Sequence, residues 1–325
     1  MRKLNLGKTI RENAMDGTIA TIFRSMHLKK EGTPSMGGLL IWGSVTMVIV
    51  FSRILAYFGI IEQSLVNRGQ TYLPLFTLVT VGLLGFIDDY LNAKGGGNKG
   101  ITAKVKMVWL TLFSLFGAWW FYYKLEYNSI HIPRLGDFQI GWLYIPLFIL
   151  VIISSANAVN ITDGLDGLAG GLLMIAFGSF GAIAYIKGLF LLAAFCGVVC
   201  GSLVAFLWFN VPPAAYFMGD TGSLSLGATL GVIAMMTNSV AVLPLIGGIF
   251  VIETLSVIIQ ITSKKFFKRK VFLVAPIHHH FEKLGWPEHT IVMRFWIAGM
   301  ILALLGLIIG IIGMGLPQAL PRLVG

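Results

Sequence analysis

The sequence predicts an all-α polytopic membrane bundle of nine transmembrane helices in one domain, residues 1–325. Three observations carry this. The chain is 56% hydrophobic and only 12% charged, against about 25% charged residues in soluble domains. Apolar runs near the ~20 residues that cross a bilayer recur along it. Those runs lack the alternation of a lipid-facing barrel strand, so they read as helices.

The runs fall at 37–58, 72–91, 104–123, 142–158, 167–186, 188–209, 223–238, 240–262 and 293–315, and 223–238 is the shortest. The first 36 residues are polar and basic and lack the apolar core of a cleavable signal peptide. Gly95-Gly96-Gly97 marks a flexible loop after the second run. Residues 124–141 carry Ile130-His131-Ile132 and Phe138-Gln139-Ile140 around Pro133 and Gly136, a pattern for a short hairpin. Cys196 and Cys200 lie one helical turn apart in an apolar run and read as small core residues, not as a disulfide. The basic loop 263–292 contains Pro276-Ile277-His278-His279-His280.

Lys and Arg set the expected orientation. Segment 1–36 holds seven of them: Arg2, Lys3, Lys8, Arg11, Arg24, Lys29 and Lys30. Lys94 and Lys99 follow the second run, with Lys104 and Lys106 just beyond. Lys264, Lys265, Lys268, Arg269, Lys270 and Lys283 lie in loop 263–292. With nine alternating spans these regions share one side, which places the N-terminus in the cytoplasm. The net charge of +10 then describes a cytoplasmic face, suited to anionic lipid or a phosphorylated substrate rather than to nucleic acid.

The carboxylates are the informative charges. Phe86-Ile87-Asp88-Asp89-Tyr90, the Asn157–Gly171 segment and Phe217-Met218-Gly219-Asp220-Thr221-Gly222 each place Asp at the edge of an apolar run. Ionised groups there are costly without a partner. Few Lys or Arg lie beside them, so a shared divalent cation is the natural candidate. Asp88-Asp89 is either a solvated helix end or a pair that shares a cation. Asn160, Asp163 and Asp166, spaced at three, face one way on a helix or make a polar turn. Asp220 is either a helix N-cap or a ligand for a hard cation such as Mg²⁺. The His triplet reads as a surface cluster, a metal site or a set of phosphate-binding imidazoles. Lys30 and Lys104 are either plain positive-inside residues or substrate contacts. Phe217 either packs in the core or stacks on a base. Zinc spacing, P-loop and dinucleotide fingerprints are absent from the sequence. A cation-coupled transporter is the reading from another class. It fits less well, because transporter carboxylates sit near the midplane of repeated halves.

Together with Lys30-Glu31-Gly32-Thr33-Pro34-Ser35-Met36-Gly37-Gly38, these segments resemble, in their order, the signature segments of the phospho-N-acetylmuramoyl-pentapeptide-transferase family. They span most of residues 29–295. The Thr-Pro-Ser-Met-Gly-Gly and His-His-His segments separate this branch from UDP-N-acetylhexosamine 1-phosphate transferases of teichoic acid or O-antigen synthesis. The resemblance implies transfer of phospho-N-acetylmuramoyl-pentapeptide from its UDP derivative to undecaprenyl phosphate. The products would be lipid I and UMP, made at the cytoplasmic face of the bacterial plasma membrane with Mg²⁺ as cofactor. It implies Asp220, with Asp163, for the metal, Asp88 for activating the lipid phosphate, and Asp89 and Asp163 to complete the acidic centre. His278 and His279 fall in the reacting region. Lys30, Ser35, Lys104, Asn157, Asn160, Gly164, Leu165, Asp166, Asn210, Phe217 and His280 form the implied substrate set. The resemblance also leaves room for a homodimer.

There are two departures. The family usually has ten spans with the N-terminus outside, whereas residues 1–28 supply no span. The first helix is therefore expected to be absent, or encoded upstream of this start. Asn92 stands where relatives often carry a basic residue.

Overall fold

The computed structural model describes residues 32–67, 69–94 and 100–313. Lys30, the rest of segment 1–31 and the Gly95–Gly97 loop lie outside them.

Six long helices come first: α1 (Gly38–Tyr57), α2 (Tyr72–Lys94), α3 (Ala103–Trp119), α4 (Tyr144–Thr162), α5 (Leu168–Ile186) and α6 (Phe190–Asn210). Next comes α7 (Gly219–Met236), followed by the short α8 (Leu243–Ile246) and α9 (Gly248–Phe267). The small α10 (Ile277–Lys283) and the terminal α11 (Glu288–Gly313) complete the set. Between α3 and α4, strands β1 (Ser129–Ile132) and β2 (Gly136–Gln139) pair antiparallel, Ile130 opposite Phe138, which is the hairpin the sequence predicts. Both cysteines are free, and Cys196 is buried.

Among the described residues, seven helical segments are long and apolar enough to cross a membrane, and one bent pair adds an eighth. That pair, Val240–Ile246 with Gly248–Phe267, turns by 79°. The expected straight span at 240–262 is therefore broken. The break falls at Gly247-Gly248, just after Pro244, where backbone restraint is weakest. The remaining expected span, 223–238, corresponds to α7. This helix begins four residues earlier than its apolar run and is buried along almost its whole length.

α7 is the axle of the bundle and packs most extensively against α2 and α4. Small residues make this possible, as they do between helices in lipid. A Cβ on Gly85 of α2 would collide with the Asp220 backbone, and one on Gly38 of α1 with Gly222. Ser155 and Ala156 of α4 lie against Gly227 in the same way. The buried hydroxyls of Ser223, Ser225 and Thr229 donate to carbonyls one turn back, so α7 carries polar side chains without orphaned groups. Outside this axle the core includes an aromatic cluster: the Phe121 ring centre lies 4.7 Å from that of Phe148, tilted by 47°, beside Tyr144.

Candidate active site

Gly85 brings the end of α2 against the start of α7, and that contact builds the site. Asp88 and Asp89 are consecutive on a helix and so point about 100° apart. Both are buried, yet they face different partners. Asp89 accepts from the Asp220 amide (3.3 Å), the Thr221 amide (3.0 Å) and the Thr221 hydroxyl (2.6 Å). Asp163, at the end of α4, accepts from the Gly219 amide at 3.2 Å. The first three amides of α7, which no helix can satisfy internally, are thus met by carboxylates from two other helices. The positive end of the helix dipole favours this arrangement. Gly219 sits at φ +71°, and a Cβ there would strike the Ser35 carbonyl and the Asp89 carboxylate.

Asp88 faces the other way. Its Oδ1 accepts from the Ile101 amide at 2.5 Å, and its Oδ2 from Asn92 Nδ2 at 3.1 Å and Lys106 Nζ at 2.6 Å. The same Lys106 ammonium reaches Asp220 Oδ2. Asn160 completes the centre: its Nδ2 donates to Asp220 Oδ1 at 2.8 Å and to Ser223 Oγ at 2.9 Å. Oxygens of Asp88, Asp89 and Asp220 lie within 4.8 Å of one another. The donor set is all oxygen, which suits a hard divalent cation. Lys106 already holds a positive charge between Asp88 and Asp220. Asp88 and Asp220 thus share one ammonium, with an Asp89 oxygen within 4.8 Å of theirs.

The other expected residues divide into neighbours and supports. The Thr33–Gly38 segment is laced to the loop before α7: Phe217 N donates to the Pro34 carbonyl at 2.8 Å, Gly37 N to the Phe217 carbonyl at 2.8 Å, and Gly38 N to the Met218 carbonyl at 2.9 Å. Ser35 is buried in that lacing. Asn210 accepts from Gly167 N (2.9 Å) and donates to the Tyr216 carbonyl (2.9 Å). Asp166 accepts from Ala214 N at 3.1 Å. Both are buried and tie the α4–α5 turn to the loop before α7; Leu165 is buried in the same turn. Asn157 lies a turn short of the centre, donating to the Ile153 carbonyl and to Met107 Sδ.

The three histidines diverge. His278 lies against Glu253 and packs over Gly164. His279 pairs with Glu282 at 2.5 Å within α10. His280 accepts from Leu273 N at 3.1 Å. Lys104 is exposed. Lys106, two residues on, supplies the cation at the acidic centre and is not among the expected site residues. One signal was available: Lys106 is followed by Met107-Val108-Trp109-Leu110, and a charge entering an apolar run needs a partner.

A cavity of about 200 Å³ opens between α4, α7 and the bent α8–α9 pair. Its wall is mainly apolar, including Ala158, Val159, Pro244 and Phe250.

Residues 71–238 match the profile of glycosyl transferase family 4, and residues 30–41 match phospho-N-acetylmuramoyl-pentapeptide-transferase signature 1. The chain is 39% identical over 312 residues to a phospho-N-acetylmuramoyl-pentapeptide-transferase of Geobacillus thermodenitrificans, covering 95% of this chain and 90% of that protein. It is 40% identical over 313 residues to the Bacillus subtilis protein of that name, with the same coverage. For the Ruegeria sp. relative, identity is 43% over 302 residues, covering 86% and 81%. With its acidic centre and its full-length relatives, the chain belongs to the phospho-N-acetylmuramoyl-pentapeptide-transferase branch of glycosyl transferase family 4.

Proposed function

We propose that the protein transfers phospho-N-acetylmuramoyl-pentapeptide from UDP to undecaprenyl phosphate, giving lipid I and UMP, the first membrane step of peptidoglycan synthesis. The observation that carries this is the Asp88–Lys106–Asp220 bridge at the start of α7, in a family of that name. An oxygen of the lipid phosphate forms a bond to the sugar-side phosphorus of the diphosphate. The bond from that phosphorus to the bridging oxygen breaks, and its electron pair leaves with UMP.

Such transfers depend on positioning and charge neutralisation. Asp88 takes the proton that a phosphate monoester still carries below its second pKa of about 6. Lys106 aligns Asp88 with Asp220 and offsets charge between them. Asp220, with Asp163 at the same helix end, would hold Mg²⁺, and Asp88 and Asp89 lie alongside. When bound, the ion supplies neutralising charge to the diphosphate. Asn160 keeps Asp220 in its rotamer. The α4–α5 turn (Gly164, Leu165 and Asp166), with Asn157, Asn210 and Phe217, frames the nucleoside side. Lys30, Ser35, Lys104 and the histidines serve the phosphate and sugar-peptide side. The apolar cavity between α4, α7 and the bent α8–α9 pair suits a polyprenyl chain arriving from the bilayer. The protein works in the bacterial plasma membrane with this end in the cytoplasm.

The test is UMP release by purified protein from UDP-N-acetylmuramoyl-pentapeptide and a polyprenyl phosphate. Release is expected, with little competition from UDP-N-acetylglucosamine. Folded protein that releases no UMP at any Mg²⁺ concentration overturns the proposal. Equal use of both nucleotide sugars overturns the substrate assignment.

A further inference from the structure

Glu253 of α9 and His278 of α10 are both fully buried, with His278 Nδ1 3.0 Å from Glu253 Oε2. Among the described residues, neither carboxylate oxygen and neither ring nitrogen makes a hydrogen bond, so the 3.0 Å approach is the polar contact each side has. A carboxylate inside a membrane bundle is expensive and gains little stability even when paired. The outer face of α9 is plainly lipid-compatible, with Ile252, Leu255 and Ile259 exposed. An acid kept on its inner face, against a single imidazole, points to a task other than stability.

The far edge of that imidazole shows the task. A Cβ added to Gly164 would meet His278 Nε2 and Cε1, so the ring lies directly over the α4–α5 turn. The neighbouring residue, Asp163, holds the first amide of α7, one residue before Asp220. The chain of contact therefore runs from Glu253 through His278 to the turn that supports the acidic centre. The other two histidines differ. His279 pairs within its own short helix, and His280 accepts from a loop amide. His278, by contrast, lies against a membrane helix.

We infer that Glu253 is a positioning residue for the transfer reaction. Its carboxylate, 3.0 Å from His278 Nδ1, fixes the ring over the Gly164 turn, whose neighbour Asp163 holds the first amide of α7. An acid orients a catalytic imidazole in this manner in hydrolase triads. The inference rests on the proposed transferase reading and on His278 as the support of the Gly164 turn.

The test is a double-mutant cycle read as kcat and KM for UMP release, with thermal midpoints as the folding control. Glu253→Ala should lower kcat by about 10- to 100-fold, the range for lost outer-shell partners, and leave KM nearly unchanged. Glu253→Gln, which keeps an acceptor of the same shape, should recover part of that loss. Adding Glu253→Ala to His278→Asn should cost nothing further, because the acid acts through the ring. Multiplying losses would mean an independent structural role and overturn the inference. A wild-type rate in both Glu253 variants would overturn it while leaving the reading of His278 intact. A wild-type rate in His278→Asn would overturn both. If Glu253→Ala does not fold, Glu253→Gln carries the cycle with the same outcomes.

Discussion

The two ends of α7 obey the same electrostatics and serve different ends. At its start, amides meet the carboxylates of Asp89 and Asp163. At its finish, the Met236 carbonyl accepts from the Tyr127 hydroxyl at 3.3 Å and the Thr237 carbonyl from the Lys187 ammonium. Anions at the first end and a cation at the last are what the helix dipole favours. The balance of charge differs. At the finish, Lys187 is answered by Asp137 of β2 and by Ser239 Oγ at 3.2 Å. His131 of β1 clamps the hairpin there, its amide on Asn238 and its Nδ1 on Asp137. At the start, two carboxylates would be enough to cap the helix, yet Asp88 and Asp220 are added, with Lys106 as their cation among the described residues. Capping accounts for Asp89 and Asp163; Asp88 and Asp220, a surplus over what capping needs, mark the end at which the reaction is proposed.

The sharpest way to break the comparison is to remove the surplus. Asp88→Asn and Asp220→Asn should each lower kcat for UMP release by about a hundredfold or more, with thermal midpoints near that of the parent. Near-parental rates would reduce these carboxylates to helix furniture. Lys106→Met comes next. It should cost about 10- to 100-fold in turnover. It should also lower the Mg²⁺ concentration for half-activity, because Asp88 and Asp220 lose their resident counter-charge. An unchanged Mg²⁺ requirement would remove Lys106 from the charge balance.

Asp89 tests capping itself. Asp89→Ala should lower stability by about 0.5–2 kcal/mol, the scale of a lost N-cap, measurable as a fall in thermal midpoint. The smallest effect belongs to the opposite end. Lys187→Met should leave kcat unchanged. Burial pushes Lys187 down from its ordinary 10.5 to about 8. Between those values the unfolded chain binds the proton and the folded chain does not, so this group makes stability rise with pH from about 8 to 10.5. The variant should lose that rise in pH-dependent melting, and an identical profile would refute the assignment.

Much of the architecture was legible because lipid imposes a length on helices. The hairpin at Ile130–Phe138 was also legible, from alternation around Pro133 and Gly136. The start of α7 was not, because Gly219–Gly222 carries no apolar signal and its helicity depends on caps donated by Asp89 and Asp163. The acidic clusters stood out by their cost at span edges. Their division of labour did not, since adjacent Asp88 and Asp89 differ only in which neighbour each faces. Lys104 and Lys106 lie about 200° apart on α3, and only the placement of α2 and α7 decides which of them reaches Asp88. The His triplet reads as one cluster in sequence, whereas helical geometry sends its rings to three partners. Asp220 could be read as an N-cap; in the fold it lies inside the first turn, and Asp89 takes the capping role from another helix.

The central claim is that the charge-rich start of α7 is the transfer centre. Its most direct test is UMP release by the folded parent and by Asp220→Asn across a Mg²⁺ titration. The account predicts saturable, Mg²⁺-dependent release by the parent and none by the variant at any concentration. A parent indifferent to Mg²⁺, or a variant that matches it, would contradict the account.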